Sequence, residues 1–292
     1  MRGGHFACAI MESPIEGNSS YAGKEPDFGG GIMEFKEVVG RRRSIRYFQS
    51  WRPVEREKIQ VILEAARQAS CAVNATFMKA IVVERDKLDR KTLEAMKTPV
   101  SGLNIELAPV HIYTYADPSA FVGAQQRLKK LVDVGALNVT HGWSHKFVDE
   151  FVWPNILKPL AENLPMSMPL VAGDAGIAVC QAMLAAVDEG LGVSLAAFVP
   201  EPVKKALNVP DHWIPLWALL VGYPAESWEA GGQRPRPPME EIYFDGKFGT
   251  PFKPDPKVTE ELKARKMLTA PAPLPWRKEE IKALARMFGL PE

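Results

Sequence analysis

Cysteine is scarce in this sequence: Cys8, Cys71 and Cys180 are the only three in 292 residues. Their odd number and wide spacing offer neither a disulfide framework nor a metal-ligand pattern, and point to a reducing, cytoplasmic compartment. Surplus charge is missing too. Lys+Arg (36) and Asp+Glu (35) leave a net charge of +1. That balance argues against a dedicated nucleic-acid binder, which needs clustered positive charge for counterion release, and gives no long-range attraction to an anionic membrane. The longest apolar stretches are broken by charge, Gly or Pro well short of the roughly 20 residues a membrane span requires, so none is expected. Residues 1–32 hold one short apolar patch, Phe6 to Met11, with a single Arg before it and Glu12 directly after. This is a poor signal peptide. The two common phosphate-cradling patterns, G-x-G-x-x-G after a strand and G-x-x-x-x-G-K-[ST], are also absent, so neither a Rossmann dinucleotide site nor a P-loop is supported.

What is present alternates between helical and extended patterns. Residues 1–32 read as an extension with little structure of its own, set off by Gly29-Gly30-Gly31; an arm docked on a partner subunit is the alternative. Ile59, Ile62, Leu63 and Ala66 share one face of a helix predicted over Val54 to Ala69. Short β-runs follow at Ala80 to Val83 and Pro109 to Tyr115, then a mainly helical, aromatic-rich stretch from Phe121 to Met168. Gly173 to Glu189 reads as an Ala-rich helix stopped by Gly190, and strand-like runs lie at Val193 to Val199 and Leu216 to Val221. Beyond Glu226 the chain is Pro-rich and poor in strands, ending in a helix over Lys278 to Phe288. We expect this tail to wrap over the body or a partner.

The sharpest chemical feature is Arg41-Arg42-Arg43-Ser44-Ile45-Arg46. Guanidinium forks and a hydroxyl so grouped can surround a phosphate. A solvated basic face at a helix end is the plainer reading, and composition alone does not lift the phosphate reading above it.

Four blocks in order change that balance. "RRRSIRYF" leading into "ILEAARQASCAVNATF", then "AGDAGIAVCQAMLAAVDEGLGVSLAAF", "PLWALLVGYPAE" and "RPRPPMEEIYF" together resemble the nitroreductase family of flavoproteins. The resemblance spans roughly residues 33–244. It implies an α+β sandwich, a mostly antiparallel sheet flanked by helices, in an intertwined homodimer with FMN at the interface. A tail over residues 245–292 would wrap around this FMN-binding domain. NADH or NADPH would deliver hydride, and a small-molecule acceptor, by default a nitroaromatic or quinone, would then be reduced in the same pocket by a ping-pong scheme. The residues implied in binding FMN are Arg42, Ser44, Arg46 and, more weakly, Arg43 from the first block, with Arg236 from the last. Asn74 and Cys71 would come from the loop, and Ala196 and Ala197 from beside the isoalloxazine N5. No catalytic side chain and no metal are implied.

The loop departs from the family pattern at Ser70, Cys71 and Thr76-Phe77-Met78, which leaves open a divergent flavin chemistry: reductive dehalogenation, enone reduction or oxidation of a biosynthetic intermediate. A flavin-free binding protein on the same fold is a further alternative. The aromatic segment containing Trp143, Phe151 and Trp153 is a candidate lid over an aromatic acceptor, with interface or core packing as the other reading.

Overall fold

Met78–Glu84 (β1), Val110–Ala116 (β2), Gly192–Ala196 (β3) and Ile214–Gly222 (β4) form one antiparallel sheet in the order β1-β2-β4-β3. This is the sheet of a computed structural model describing residues 34–291. The N-terminal extension, with Cys8 and Met33, lies outside the described residues. Register is fixed by side-chain alternation: Val82 faces Ile112, and Ile112 faces Leu219. A slip of one residue would turn each apolar set to the wrong side. Strand β2 is buried along its whole length, because both faces of the sheet are covered.

The helices are α1 (Phe35–Arg41), α2 (Arg56–Arg67), α3 (Arg90–Met96), α4 (Gly102–Leu107), α5 (Ala124–Asp133), α6 (His145–Phe147), α7 (Lys158–Glu162), α8 (Leu164–Asp188), α9 (Pro200–Leu207), α10 (Met239–Ile242), α11 (Pro256–Ala264) and α12 (Arg277–Phe288). One sheet face packs Val110, Ile112, Leu219 and Val221 against Ile59 and Ile62 of α2 and Ala178 and Ala182 of α8. The other packs Tyr113, Tyr115, Ala218 and Leu220 against Met96, Ile105 and Val203. On this second face His111 is fully buried, its ring nitrogens within hydrogen-bonding distance of the Ile105 carbonyl and the Tyr113 hydroxyl. Burial lowers its pKa to about 4, so the ring is neutral in the core.

Helix α8 begins nine residues earlier than the Gly173 start expected from sequence. Pro165 and Pro169 look like breakers. Pro165, however, sits in the first turn, where no N–H bond is needed, and only Pro169 removes a bond from the ladder. Asn163 caps the start, its side chain accepting from Met166 N. Over 25 residues α8 is the one helix among those described that is long and apolar enough to cross a membrane, by length and composition alone. Yet Asp174 interrupts it, holding Ala72 N at 2.5 Å, and Ala175, Ala178, Val179, Ala182 and Ala186 are buried against the protein's own core.

Candidate functional site

The chain leaves α1 at Arg41 and runs extended along the β3 edge. Ile45 N donates to Val193 O at 2.8 Å, Ser44 bridges Val193 in parallel, and Gln49 N donates to Tyr223 O at 2.8 Å. Ile45 and Phe48 point into the core as anchors, so the polar side chains between them are placed at one edge of the sheet.

Into this edge comes a second stretch, residues 229–236. Arginines from the two stretches crowd one another. The Arg42 guanidinium sits below its ordinary pKa because it is buried and because Arg236 repels it, while Cys180 of α8 interacts with it favourably. Arg43 is lowered by burial and then by Arg42 and Arg234, and Arg234 by burial and then by Arg46 and Arg277. Among the described residues Arg42, Arg43, Arg46, Arg234 and Arg236 form no ion pair with any carboxylate, whereas Arg277 beside them forms two. Their hydrogen bonds go to backbone or a hydroxyl: Arg46 Nη1 to Ser44 O at 3.0 Å, Arg236 Nη1 to Pro235 O at 3.1 Å, Arg234 Nη2 to Ala230 O at 3.0 Å. Arg43 is the most buried of the set, at 7% exposure. It turns away from the others, donating to Gly40 O and to Thr269 Oγ1, and its Nε is left without a partner. A cluster of like charge held this close is unfavourable alone and favours an anion of high charge density.

The Cys71–Thr76 loop lies by α8, six residues and thus about 9 Å of helix rise from Cys180, at Asp174. Cys71 Sγ accepts from Thr76 N at 3.4 Å, and Cys71, Thr76, Asp174 and Ala178 line a shallow hollow. Asn74 is exposed. Val73, Asn74 and Thr76 all have φ near +50°, a left-handed conformation that is an outlier for the β-branched Val73 and Thr76. Nothing in the sequence, which has no Gly here, announces that geometry. At the end of β3, Ala196 is buried and pairs with Ala218, while Ala197 is exposed and its carbonyl accepts from Ser101 Oγ.

The aromatic segment divides. Trp143 and Trp153 pack half-buried against Leu128, Val148, Val152 and Leu157, a cluster Val73 also joins, so the segment adjoins the strained loop. Phe151 is 50% exposed and stacks on Phe147 with ring centroids 5.4 Å apart and planes 9° from parallel. Residues Val148–Leu157, between α6 and α7, are π-helical and carry Pro154.

Two members of this site escape a reading of the sequence alone. Arg234 stands two residues before Arg236 in the same "RPRPP" run, and that doublet was a usable signal. Glu226 was not legible: its carboxylate accepts from Arg46 N at 2.5 Å and Tyr47 N at 3.1 Å across some 180 residues.

Known proteins resemble this chain in sequence and in fold. Residues 39–136 match the model of the nitroreductase family. An FMN reductase [NAD(P)H] of Bacillus subtilis is 28% identical over 203 residues, covering 68% of each protein. An NADPH-dependent oxidoreductase of Staphylococcus epidermidis is 24% identical over 217 residues, 73% of each. Among solved structures, an FMN complex from Exiguobacterium sibiricum described as a nitroreductase superposes with a TM-score of 0.58 at 22% identity, covering 74% of this chain and 98% of that one. A nitroreductase-family protein from Streptococcus pneumoniae gives 0.56 at 23%, covering 73% and 100%. Both show the same fold.

Proposed function

We propose that this chain, which carries a nitroreductase-family domain, is an NAD(P)H-dependent FMN oxidoreductase that reduces a nitroaromatic, quinone or related small acceptor by a ping-pong scheme. The observation that carries the reading is the arginine cluster. Arg42, Arg46, Arg234 and Arg236 converge, and among the described residues none of them forms an ion pair, Glu226 offsetting the repulsion on Arg234 only in part; the FMN phosphate is a dianion that fits this donor set. FMN, when bound, supplies the redox chemistry, accepting hydride from the nicotinamide and passing the electrons on.

The chain's own residues bind and orient. Arg42 and Arg236 would meet the phosphate, with the Ser44 hydroxyl beside them. The Cys71–Asn74 loop and the Ala196–Ala197 end of β3 would contact the ring system. Flavin binding in this proposal is shared between two copies of the chain. Two apolar surfaces favour a homodimer. Helix α8 exposes Met166, Leu170, Gly173, Ile177 and Cys180, spaced four, three, four and three residues apart, the pattern by which one helix packs lengthwise on another. The C-terminal stretch exposes Tyr243, Phe244, Phe248 and Phe252.

The test is direct. The purified protein should be yellow, hold FMN rather than FAD, and bleach anaerobically with NADH or NADPH before an added quinone or nitroaromatic restores the colour. A protein that purifies colourless and binds no added FMN would refute the assignment.

A further inference from the structure

The arginine cluster is tied to a part of the chain far away in sequence. The Glu226 side chain is fully buried, and its Oε2 pairs with Arg277 Nη2 at 2.6 Å while its Oε1 holds the backbone of Arg46 and Tyr47. Arg277, in the first turn of α12, also pairs with Glu280 Oε2 at 2.6 Å, and Glu280 Oε1 accepts from Ser227 N at 2.6 Å. The arginine loop, Glu226, Arg277 and Glu280 thus form one continuous polar chain that returns to the residue after Glu226.

A second tie lies in the segment before α12. Thr269 Oγ1 accepts from Arg43 Nη2 at 2.7 Å, and Thr269 N donates to Gln233 Oε1 at 2.8 Å, next to Arg234. Gln233 N and O bond Ala270 O and Ala272 N at 2.8 and 2.9 Å. The fit is close: a Cβ on Gly40 would collide with the Lys266 carbonyl, and one on Gly231 would lie 2.7 Å from Arg277 Cδ. At the far end of α12, Phe288 stacks on Tyr47 with centroids 5.9 Å apart. One continuous stretch therefore touches both halves of the cluster.

We propose that the C-terminal stretch from Lys266 to Phe288 is a clamp on the phosphate end of the cofactor site, with Thr269, Arg277 and Glu280 as positioning residues that act through Arg43 and Glu226. This rests on the assignment of the arginine cluster to FMN. Repelling guanidiniums spread unless their backbones are fixed, and Glu226 fixes two backbone amides only while Arg277 balances its buried charge. Without Arg277 an unpaired carboxylate is left beneath the arginine loop. It can then draw Arg46 or Arg234 down from the phosphate to pair with it. The loss falls on the phosphate, not on the flavin ring.

Titration of the full-length apoprotein with FMN and with riboflavin, which has the same ring and no phosphate, tests this. Arg277→Gln should weaken FMN about tenfold or more, as expected for loss of a charged hydrogen bond, and leave riboflavin within about twofold. Arg277→Lys should restore much of the FMN affinity. Thr269→Val, a near-isosteric change that spares the fold, should cost FMN about threefold by freeing Arg43. The idea fails if FMN binds folded Arg277→Gln as tightly as it binds the unaltered chain. It fails equally if FMN and riboflavin weaken together with a falling melting temperature, since the stretch then only supports the fold. Should Arg277→Gln not fold, Thr269→Val decides: unchanged FMN affinity overturns the clamp. An unaltered chain that binds neither flavin would overturn the cofactor assignment and the clamp with it, whereas FMN binding that no variant disturbs overturns the clamp alone.

Discussion

The arginine cluster and the stretch from Met239 to Phe252, which comes just after the cluster's second half (Arg234 and Arg236) in sequence, are built in opposite ways. Around the cluster many backbone groups are pinned by another part of the same chain: Ile45 to Val193, Gln49 to Tyr223, Arg46 and Tyr47 to Glu226, Gln233 to Ala270 and Ala272. Between Met239 and Phe252 the bonds are local. Asp245 N donates to Thr250 O and Phe252 N to Tyr243 O, closing a hairpin on itself, while Phe248 is left 88% exposed. One region is charged and organised within a single copy; the other is apolar and has no cover of its own. The difference teaches where each draws its stabilisation. Charge needs a fixed scaffold to be held against its own repulsion, whereas exposed aromatic rings gain when another apolar surface covers them.

Breaking the first region should have the largest effect. Arg42→Ala combined with Arg46→Ala removes two charged donors, each contributing roughly 1.5–3 kcal/mol. FMN affinity should fall by about two orders of magnitude or more, so that dialysis yields colourless protein with its fold intact. Absorbance at the flavin bands after dialysis, beside a far-ultraviolet circular dichroism spectrum, is the measurement. Full flavin retention would remove the arginines from the cofactor site.

Breaking an uncovered apolar surface, here the exposed stripe of α8 rather than the hairpin itself, should change association rather than folding. Ile177→Asp puts a charge on the exposed stripe of α8, where the unaltered side chain is already 47% exposed in the single copy. Little core packing is lost, so the melting temperature of the isolated copy should hardly move. Burying the charge in a helix–helix contact, in contrast, carries a penalty of several kcal/mol. Light scattering should show the mass dropping from two copies to one, with FMN content falling alongside. A chain that is monomeric before the substitution, and still holds FMN, would show that this face meets no second copy.

How far these features could be read in advance depended on how local their cause is. Strands β1, β2, β3 and β4 were each located by an apolar run, since residues such as Val110, Ile112 and Tyr113 carry their burial pattern with them. Their ends were not: β1 and β4 extend beyond the expected runs at both ends, and β3 stops at Ala196, short of Val199. Helix α8 was misjudged at its start because a proline's effect depends on its place in the helix, and Asn163, which caps it, gave only a weak cue. The Arg42, Ser44 and Arg46 run was visible as a cluster, since its spacing is short. Glu226 and Arg277 are 51 positions apart and meet only through the folded tail, and no periodicity records such a meeting. The left-handed Val73 and Thr76 were hidden for a related reason: β-branched residues disfavour that conformation, and the contact made beside them, Ala72 N to Asp174, joins positions about 100 residues apart.

The smallest expected effect concerns the aromatic segment, and there the structure separates residues the sequence had grouped. Trp153 packs against a buried cluster, whereas Phe151 is half-exposed on Phe147. If the segment caps the acceptor pocket, Phe151→Ala should lower kcat/KM for an aromatic acceptor by several-fold, because an aromatic stack contributes about 0.5–1.5 kcal/mol beyond area burial. Its melting temperature, its FMN content and the rate of flavin reduction by NAD(P)H should stay where they were, because the side chain supports little of the core. Trp153→Ala should do the reverse in part. Cutting a half-buried Trp costs up to a few kcal/mol of stability, so a lower melting temperature should accompany any kinetic change. Stopped-flow separation of the reductive and oxidative half-reactions, with a melt on each variant, distinguishes these outcomes. Unchanged acceptor kinetics in Phe151→Ala would mean that the stacked pair faces a protein neighbour and not the acceptor, and the exposed rings would then belong with the α8 stripe as part of the surface between copies.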